Sequence, residues 1–179
     1  MSDSLTTGNY LSGPEDLRRR ELVWGIVREP PAPRFGHQSI VTRITVLLDQ
    51  HVRAGGLGVV VVSPIDVVLD EANALVVQPD VIFVAHDRVH IIRDQVWGAP
   101  DLVVEVESRG TAVVDRTTKL EWYRAYGVRE CWLVEPRRQR VTVVNLGHAA
   151  RTNHSVTDEE IVKSTVLPDL ILEAREIFS

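Results

Sequence analysis

The sequence predicts a mixed α/β (α+β) domain in which helices pack against a mixed β-sheet. Three observations lead there. Short apolar runs of four to eight residues recur at 59–63, 78–85, 102–107 and 131–134, the length of buried strands rather than of helices. Two longer segments, 37–53 and 112–126, instead carry apolar residues at helical spacing. The resulting order of helix, strands, helix, strands calls for a sheet covered by helices.

Taken in order, residues 1–13 are rich in Ser, Thr and Gly and are expected to form a flexible arm ahead of a single domain spanning 14–179. Ser12-Gly13-Pro14-Glu15 reads as a helix start: Ser12 can cap, Pro14 suits the first turn, and Glu15 completes a capping box. Glu21 to Val27 reads as a strand, and Pro30-Pro31-Ala32-Pro33 as a stiff extended connector. Ile40, Ile44, Leu47, Leu48 and Val52 share one face of a helix over 37–53, which Gly55-Gly56-Leu57-Gly58 ends. Strands are expected at 59–63, 66–69, 78–85 and 102–107, with a weaker one at 90–92. Ser108-Arg109-Gly110-Thr111 breaks the last of these, and a helix follows from about 112 to 126, with Gly127 at its C′ position. Strands at 131–134 and 140–146 flank a turn at 136–139, an edge strand falls within 157–164, and residues 167–172 lead into a short terminal helix.

Bulk composition narrows the function. At 179 residues and 44% hydrophobic, the chain has enough apolar material for one real core. Its net charge of −5 argues against a broad basic surface for duplex DNA, leaving only the local clusters Arg18-Arg19-Arg20 and Arg137-Arg138-Gln139-Arg140, each of which reads more simply as a solvated face. A single cysteine, Cys131, forms no internal disulfide, and its apolar neighbours make it a packing residue rather than a nucleophile. No apolar run approaches the ~20 residues of a membrane span, and no signal core is evident, so a soluble, cytoplasmic protein is expected.

Two acidic strands stand out. Gln78-Pro79-Asp80-Val81-Ile82-Phe83-Val84 and Pro100-Asp101-Leu102-Val103-Val104-Glu105-Val106-Glu107-Ser108 set carboxylates into apolar runs, where an uncompensated charge is costly. Strand alternation puts Val103, Glu105 and Glu107 on one face and Leu102, Val104 and Val106 on the other, against a core. Asp80 follows Pro79 at a strand opening, where a bend is expected to expose it. Edge-strand charges or salt bridges are the ordinary explanation for one such acid. Two, Asp80 and Glu105, suggest a divalent cation and phosphate chemistry. Lys119 lies in the following helix, on the face of Asp115, Trp122, Tyr123 and Tyr126. It either pairs with Asp115 on the surface or sits over the two carboxylates to orient a water or stabilise charge. The six histidines form no zinc pattern, and His37 at the start of the long helix is either a cap or a member of the same cleft. No phosphate loop, nucleophile elbow or dinucleotide fingerprint is present.

Together, Pro79-Asp80, the run Pro100 to Ser108, Asp115-Arg116-Thr117-Thr118-Lys119-Leu120, Tyr123 and the run Gly127 to Val134 resemble the Uma-two family of restriction-endonuclease-type proteins, a branch of the PD-(D/E)XK nuclease superfamily. Glu21-Leu22 before Gly25, His37 and Val166-Leu167-Pro168 fit as well, so the resemblance covers most of the chain. It implies a restriction-endonuclease-like core. It also implies that Asp80 and Glu105 bind Mg²⁺ or Mn²⁺, with Lys119 the catalytic lysine and Glu21 and His37 accessory members of the cleft. The superfamily's lysine two residues after the second acid is here Glu107, a third accessory candidate that adds negative charge; the family's relocated lysine maps to Lys119. The implied function is a Mg²⁺-dependent endodeoxyribonuclease, a hydrolase of phosphodiester bonds in DNA. Cutting both strands takes two active sites or one that turns over twice, and Trp97, Trp122 and Trp132 are more large aromatics than so small a core easily hides, so a homodimer is expected. The alternative is a catalytically weak or inactive nuclease-fold module that binds nucleic acid or protein.

Overall fold

A computed structural model describes residues 4–13, 18–108, 113–147 and 152–179, the side chains of 113–115 excepted. The expected helix start at Pro14-Glu15, the break at 109–111 and the Asp115 side chain lie outside these residues.

Valine-rich segments build two mixed sheets rather than one, because β-branched side chains pack well on pleated surfaces. The first sheet takes β1 (Glu21–Val23), β2 (Ile26–Arg28), β4 (Val67–Asp70), β5 (Leu75–Val77) and β7 (Val96–Trp97), in the order β2-β1-β5-β4-β7. The second takes β3 (Gly58–Val62), β6 (Val81–Ala85), β8 (Leu102–Val106), β9 (Glu130–Glu135), β10 (Arg140–Asn145) and β11 (Thr152–Thr157), in the order β11-β10-β9-β8-β6-β3. Neighbours are antiparallel except β4 with β7 and β8 with β9. Among the described residues, four α-helices accompany them: α1 (Thr7–Leu11), α2 (Phe35–Gly55), α3 (Val113–Tyr126) and α4 (Ala174–Phe178).

One core lies between α2, α4 and a face of the second sheet, where Ile44, Leu48 and Ile177 meet Phe83, Leu102, Val104 and Trp132. The opposite face of that sheet, with Ile82, Val103 and Leu133, packs on α3 and on the first sheet through Leu120, Tyr123, Val67 and Val77. Beyond the first sheet, Tyr10 of α1 meets Leu22, Val68 and Val76. Central strands buried on both faces explain why β6 and β8 read as continuous apolar runs.

Most expected elements appear near their expected bounds. Gly56 takes a left-handed φ of 59° as the α2 cap, and Gly127 a φ of 95° after α3. Several differ. The strand expected over 21–27 is a hairpin, with Trp24 and Gly25 both at positive φ in the tight turn. The strand expected over 78–85 begins only at Val81, as β6 in the second sheet, and the preceding residues 75–77 form a separate strand, β5, in the first sheet that the sequence did not single out. Pro79, with no N–H for a ladder, sits in the crossing between them. Residues 86–91 form a 3₁₀ turn in place of much of a weak strand. The last edge strand is β11, Thr152–Thr157, while Ile161 makes only a single bridge to Glu173.

The flexible arm expected over residues 1–13 is not what residues 5–12 form. Thr6 caps α1, the Thr7 hydroxyl donates to Glu71 O at 2.8 Å, and the buried Tyr10 hydroxyl donates to Arg20 O at 2.9 Å. An aromatic ring on the open face of the first sheet offsets the ordering entropy of a polar segment.

The expectation that Trp97, Trp122 and Trp132 overfill the core also fails. Trp132 and Trp122 are buried, and the exposed tryptophan is Trp24, whose ring meets Trp122 edge-on at 5.9 Å. No helix among the described residues is long and apolar enough to cross a membrane.

Candidate active site

The crossing from β5 to β6 drives Asp80 inward. It is only 2% exposed, contrary to the bend-exposed position expected after Pro79. Its backbone N–H donates to Val104 O at 3.2 Å, which stitches the crossing to β8 and aims the side chain at the end of that strand. There, Val106 N–H donates to Oδ2 at 2.7 Å, His37 Nε2 stands 3.4 Å from the same oxygen, and Arg19 Nη1 lies 2.7 Å from Oδ1.

Glu105 lies beside it on β8. Its neighbours Leu102, Val104 and Val106 enter the core against α2, so alternation turns Glu105 toward α3, as expected. Oε1 accepts from the Tyr123 hydroxyl at 2.5 Å and from Lys119 Nζ at 3.3 Å, and Oε2 is 3.6 Å from Arg19 Nη2. The two carboxylates therefore share one guanidinium. Arg19 Nη2 also donates to Gln78 O at 2.6 Å, while its Nε is buried with no partner.

Lys119 is buried, so it is not a surface residue. Its nearest partner is Glu21, at 2.7 Å, a residue expected only at the cleft's periphery. Glu21 opens β1 and also accepts from Gln78 N at 3.1 Å. Lys119 thus bridges Glu21 and Glu105 rather than Asp80 and Glu105. Glu107, at the strand end, is half-exposed and pairs with Arg116 at 3.0 Å, apart from the other two acids. Of the six residues singled out from the sequence, the structure gathers Asp80, Glu105, Lys119, Glu21 and His37 and leaves Glu107 on the rim.

The protonation energetics separate the acids. Burial pushes Asp80 up, but His37, Arg19 and the Val106 N–H outweigh it and hold Asp80 below the ordinary carboxylate range. Burial also pushes up Glu105. The charges of Asp80 and Glu21 add to it, Lys119 and Arg19 only partly offset it, and Glu105 ends above its ordinary value. Glu21 is buried yet lowered, chiefly by Lys119 and then Arg19. Against burial, Glu105 and Glu21 raise Lys119, so with these partners it stays an ammonium at neutral pH. Neighbouring carboxyls driven apart in this way are a common sign of an acid–base site.

Arg19 and His37 also line a cleft of about 920 Å³, together with Pro30 to Arg34, Glu107, Ser108 and Arg137 among others. Arg34 and Arg137 make no ion pair among the described residues, whereas Arg138 and Arg140 both pair with Glu135. Glu105 itself lines a smaller pocket of about 40 Å³ with Lys119, Tyr123, Cys131 and, at the rim, Glu107 and Arg116, with room for a few waters.

The carboxylate oxygens are hard donors of the kind Mg²⁺ and Mn²⁺ take, and Asp80 and Glu105 already converge on a cationic group. Such an ion would be held by these two side chains. Among the described residues, no group of three or more His, Cys, Asp and Glu is placed so that it could hold a metal ion.

The family model "Uma2: Putative restriction endonuclease" matches residues 9–175. The chain belongs to this family. The structure of a putative nuclease belonging to DUF820, from Anabaena variabilis ATCC 29413, superposes with a TM-score of 0.81 over 97% of both chains at 17% identity, so the two share a fold. No match is found among curated proteins. Uma2 membership bears out the resemblance read from the acidic strands, and the shared fold bears out the mixed α/β class.

Arg19, Gln78 and Tyr123 are site residues that sequence reasoning did not assign. Tyr123 had a signal, since it shares the helical face of Lys119. Arg19 was visible only as the middle of a basic cluster.

Proposed function

We propose that the protein is a divalent-metal-dependent endonuclease acting on DNA in the cytoplasm, with Asp80 and Glu105 holding Mg²⁺ or Mn²⁺ and Lys119 beside them. One observation supports the reading: Glu21, Asp80 and Glu105 converge with Lys119, and Arg19 and His37, which pair with Asp80, also line a cleft that Arg34 and Arg137 share. When bound, the ion supplies positive charge at the scissile phosphate and makes a water more acidic. The chain's own residues do the rest. Arg34 and Arg137, free of ion-pair partners among the described residues, are placed to grip backbone phosphates. Lys119, raised rather than lowered, acts as a fixed charge and not as a base. Tyr123 fixes the orientation of Glu105 by donating to Oε1. Glu21 anchors Lys119 between two strands, and His37 holds Asp80.

Incubating the protein with DNA and, separately, RNA in Mn²⁺, Mg²⁺ or EDTA tests this. The expected outcome is DNA cleavage that EDTA abolishes and Glu105→Gln removes. Equal cleavage in EDTA, or none under any metal with intact DNA binding, overturns it.

The second reading is a nuclease-fold module that binds nucleic acid or protein without cutting. The Arg19 ion pairs favour it, because both carboxylates already have a counter-charge from the chain itself.

A further inference from the structure

Arg19 stands between the two acids in the position the proposed function gives to a cation. It donates to Asp80 Oδ1 at 2.7 Å and to Gln78 O at 2.6 Å and lies 3.6 Å from Glu105 Oε2. Its seat is nevertheless imperfect. The Nε–H is buried with no acceptor, a group that ordinarily costs stability when left unpaired. A side chain matched to a permanent structural pocket would have all its donors met, as Glu130 has its oxygens met by Trp132, Ser164 and Thr165 at the far end of β9.

Arg19 also has somewhere to go: it already lines the wide cleft, it is not part of any helix or strand, and among the described residues its side chain meets only Asp80, Glu105 and Gln78.

We propose that Arg19 is an exchangeable internal counter-ion of the Asp80–Glu105 pair, which occupies the cation seat in the metal-free protein and is displaced from it by Mg²⁺ or Mn²⁺. The inference rests on the metal-binding reading of these two acids. It makes metal affinity a competition within one chain. If the guanidinium leaves the seat open about one-tenth of the time, apparent affinity is weakened about tenfold.

Calorimetric titration of Mn²⁺ into wild type, Arg19→Ala, Arg19→Gln and Glu105→Gln tests it without reference to activity, with thermal melts alongside. The expected result is a dissociation constant at least about tenfold lower for Arg19→Ala and Arg19→Gln than for wild type. The metal-free melting temperature of both should be lower than wild type, and Mn²⁺ should restore it. Arg19→Gln retains a donor for Gln78 O, so it keeps the test informative if the alanine variant fails to fold. Unchanged or weaker Mn²⁺ binding by a folded Arg19 variant, with wild type binding and Glu105→Gln not, overturns the exchange and leaves the metal site standing. Failure of both Arg19 variants to fold even in Mn²⁺ also overturns it, since Arg19 is then a structural fixture. Absence of Mn²⁺ binding by wild type and by both folded variants overturns the metal reading itself, and the exchange with it.

Discussion

Lys119 Nζ and Glu21 Oε1 lie 2.7 Å apart across 98 residues of sequence, joining helix α3 to the first strand of the opposite sheet. A second partner, Glu105, is 3.3 Å from the same nitrogen. The interaction spans the seam where two sheets meet, so it ties the site's chemistry to the integrity of the fold.

Removal of Lys119 should therefore cost stability as well as rate. Lys119→Ala leaves buried Glu21 without its nearest cation and Glu105 with Arg19 alone, a loss of up to about 3–5 kcal/mol on the scale of broken buried pairs. Denaturant unfolding checks it, and adding Glu21→Gln should recover part of the loss if the pair is coupled. For folded protein, cleavage should fall ~10²-fold or more in Lys119→Ala and less in Lys119→Arg, which keeps the charge. A Lys119→Ala protein as stable and active as wild type would remove the residue from both roles.

Glu105→Gln should abolish divalent-cation binding while leaving the fold intact. Burial and the neighbouring acids already disfavour the ionised form of Glu105, so neutralising it relieves Asp80 and Glu21 of a like charge. The melting temperature without metal should match or exceed that of wild type. Wild-type Mn²⁺ affinity in this variant, measured by calorimetry, would place the ion elsewhere.

Acid should weaken the protein partly through Glu21. Its folded-state pKa is depressed below the ~4.3 of a free glutamate, so its contribution is present above that value and is lost as pH falls through the depressed one. Glu105 has the opposite sign. Raised when folded, it takes up a proton in the native state first, so stability rises as pH falls through its folded value toward ~4.3. Urea unfolding between about pH 7 and pH 2 should show a shallower acid loss in Glu21→Gln than in wild type. An unchanged acid slope would mean that Lys119 does not hold Glu21 ionised.

Arg34 and Arg137 should govern nucleic-acid affinity. Each Arg→Ala change should weaken DNA binding and lower the slope of log affinity against log salt by about 1, with little effect on stability. Phe35, 88% exposed at the start of α2 beside Arg34, offers a surface for an unstacked base, and Phe35→Ala should weaken single-stranded more than double-stranded binding. Fluorescence anisotropy over a salt series reads both effects. Equal slopes in all three proteins would move the interface away from this cleft.

A homodimer remains the expected assembly for an enzyme that cuts both strands. The edge strand β2 exposes Ile26 and Val27 beside the half-exposed Trp24, which is where a second copy could pair. Light scattering at micromolar concentration should give twice the 20.1 kDa chain mass, and Ile26→Lys should lower it. A monomeric wild type would exclude this assembly at that concentration.

How much of this was legible in the sequence depended on how local each cause was. Helices α2 and α3 and strands β3, β8, β9 and β10 follow from periodicity and from the glycines that end α2 and α3, because those signals act over a few residues. Asp80, Glu105 and Lys119 stood out because charged groups in apolar settings are rare enough to need a cause. The Trp24-Gly25 turn, the split of residues 75–85 between two sheets and the ordering of Tyr10 were not legible, since each depends on partners far along the chain.

The sequence by itself determined the strand and helix pattern, the pairing of two acidic strands with a lysine-bearing helix and, through those motifs, the family. Only the tertiary structure decided what those charges face. Arg19 lies 61 residues from Asp80, and Glu21 lies 98 from Lys119; no periodicity links such positions. Their meeting follows from the chain's crossing between two sheets at Pro79. That crossing buries the acids together, and buried charge must find opposite charge wherever the fold supplies it.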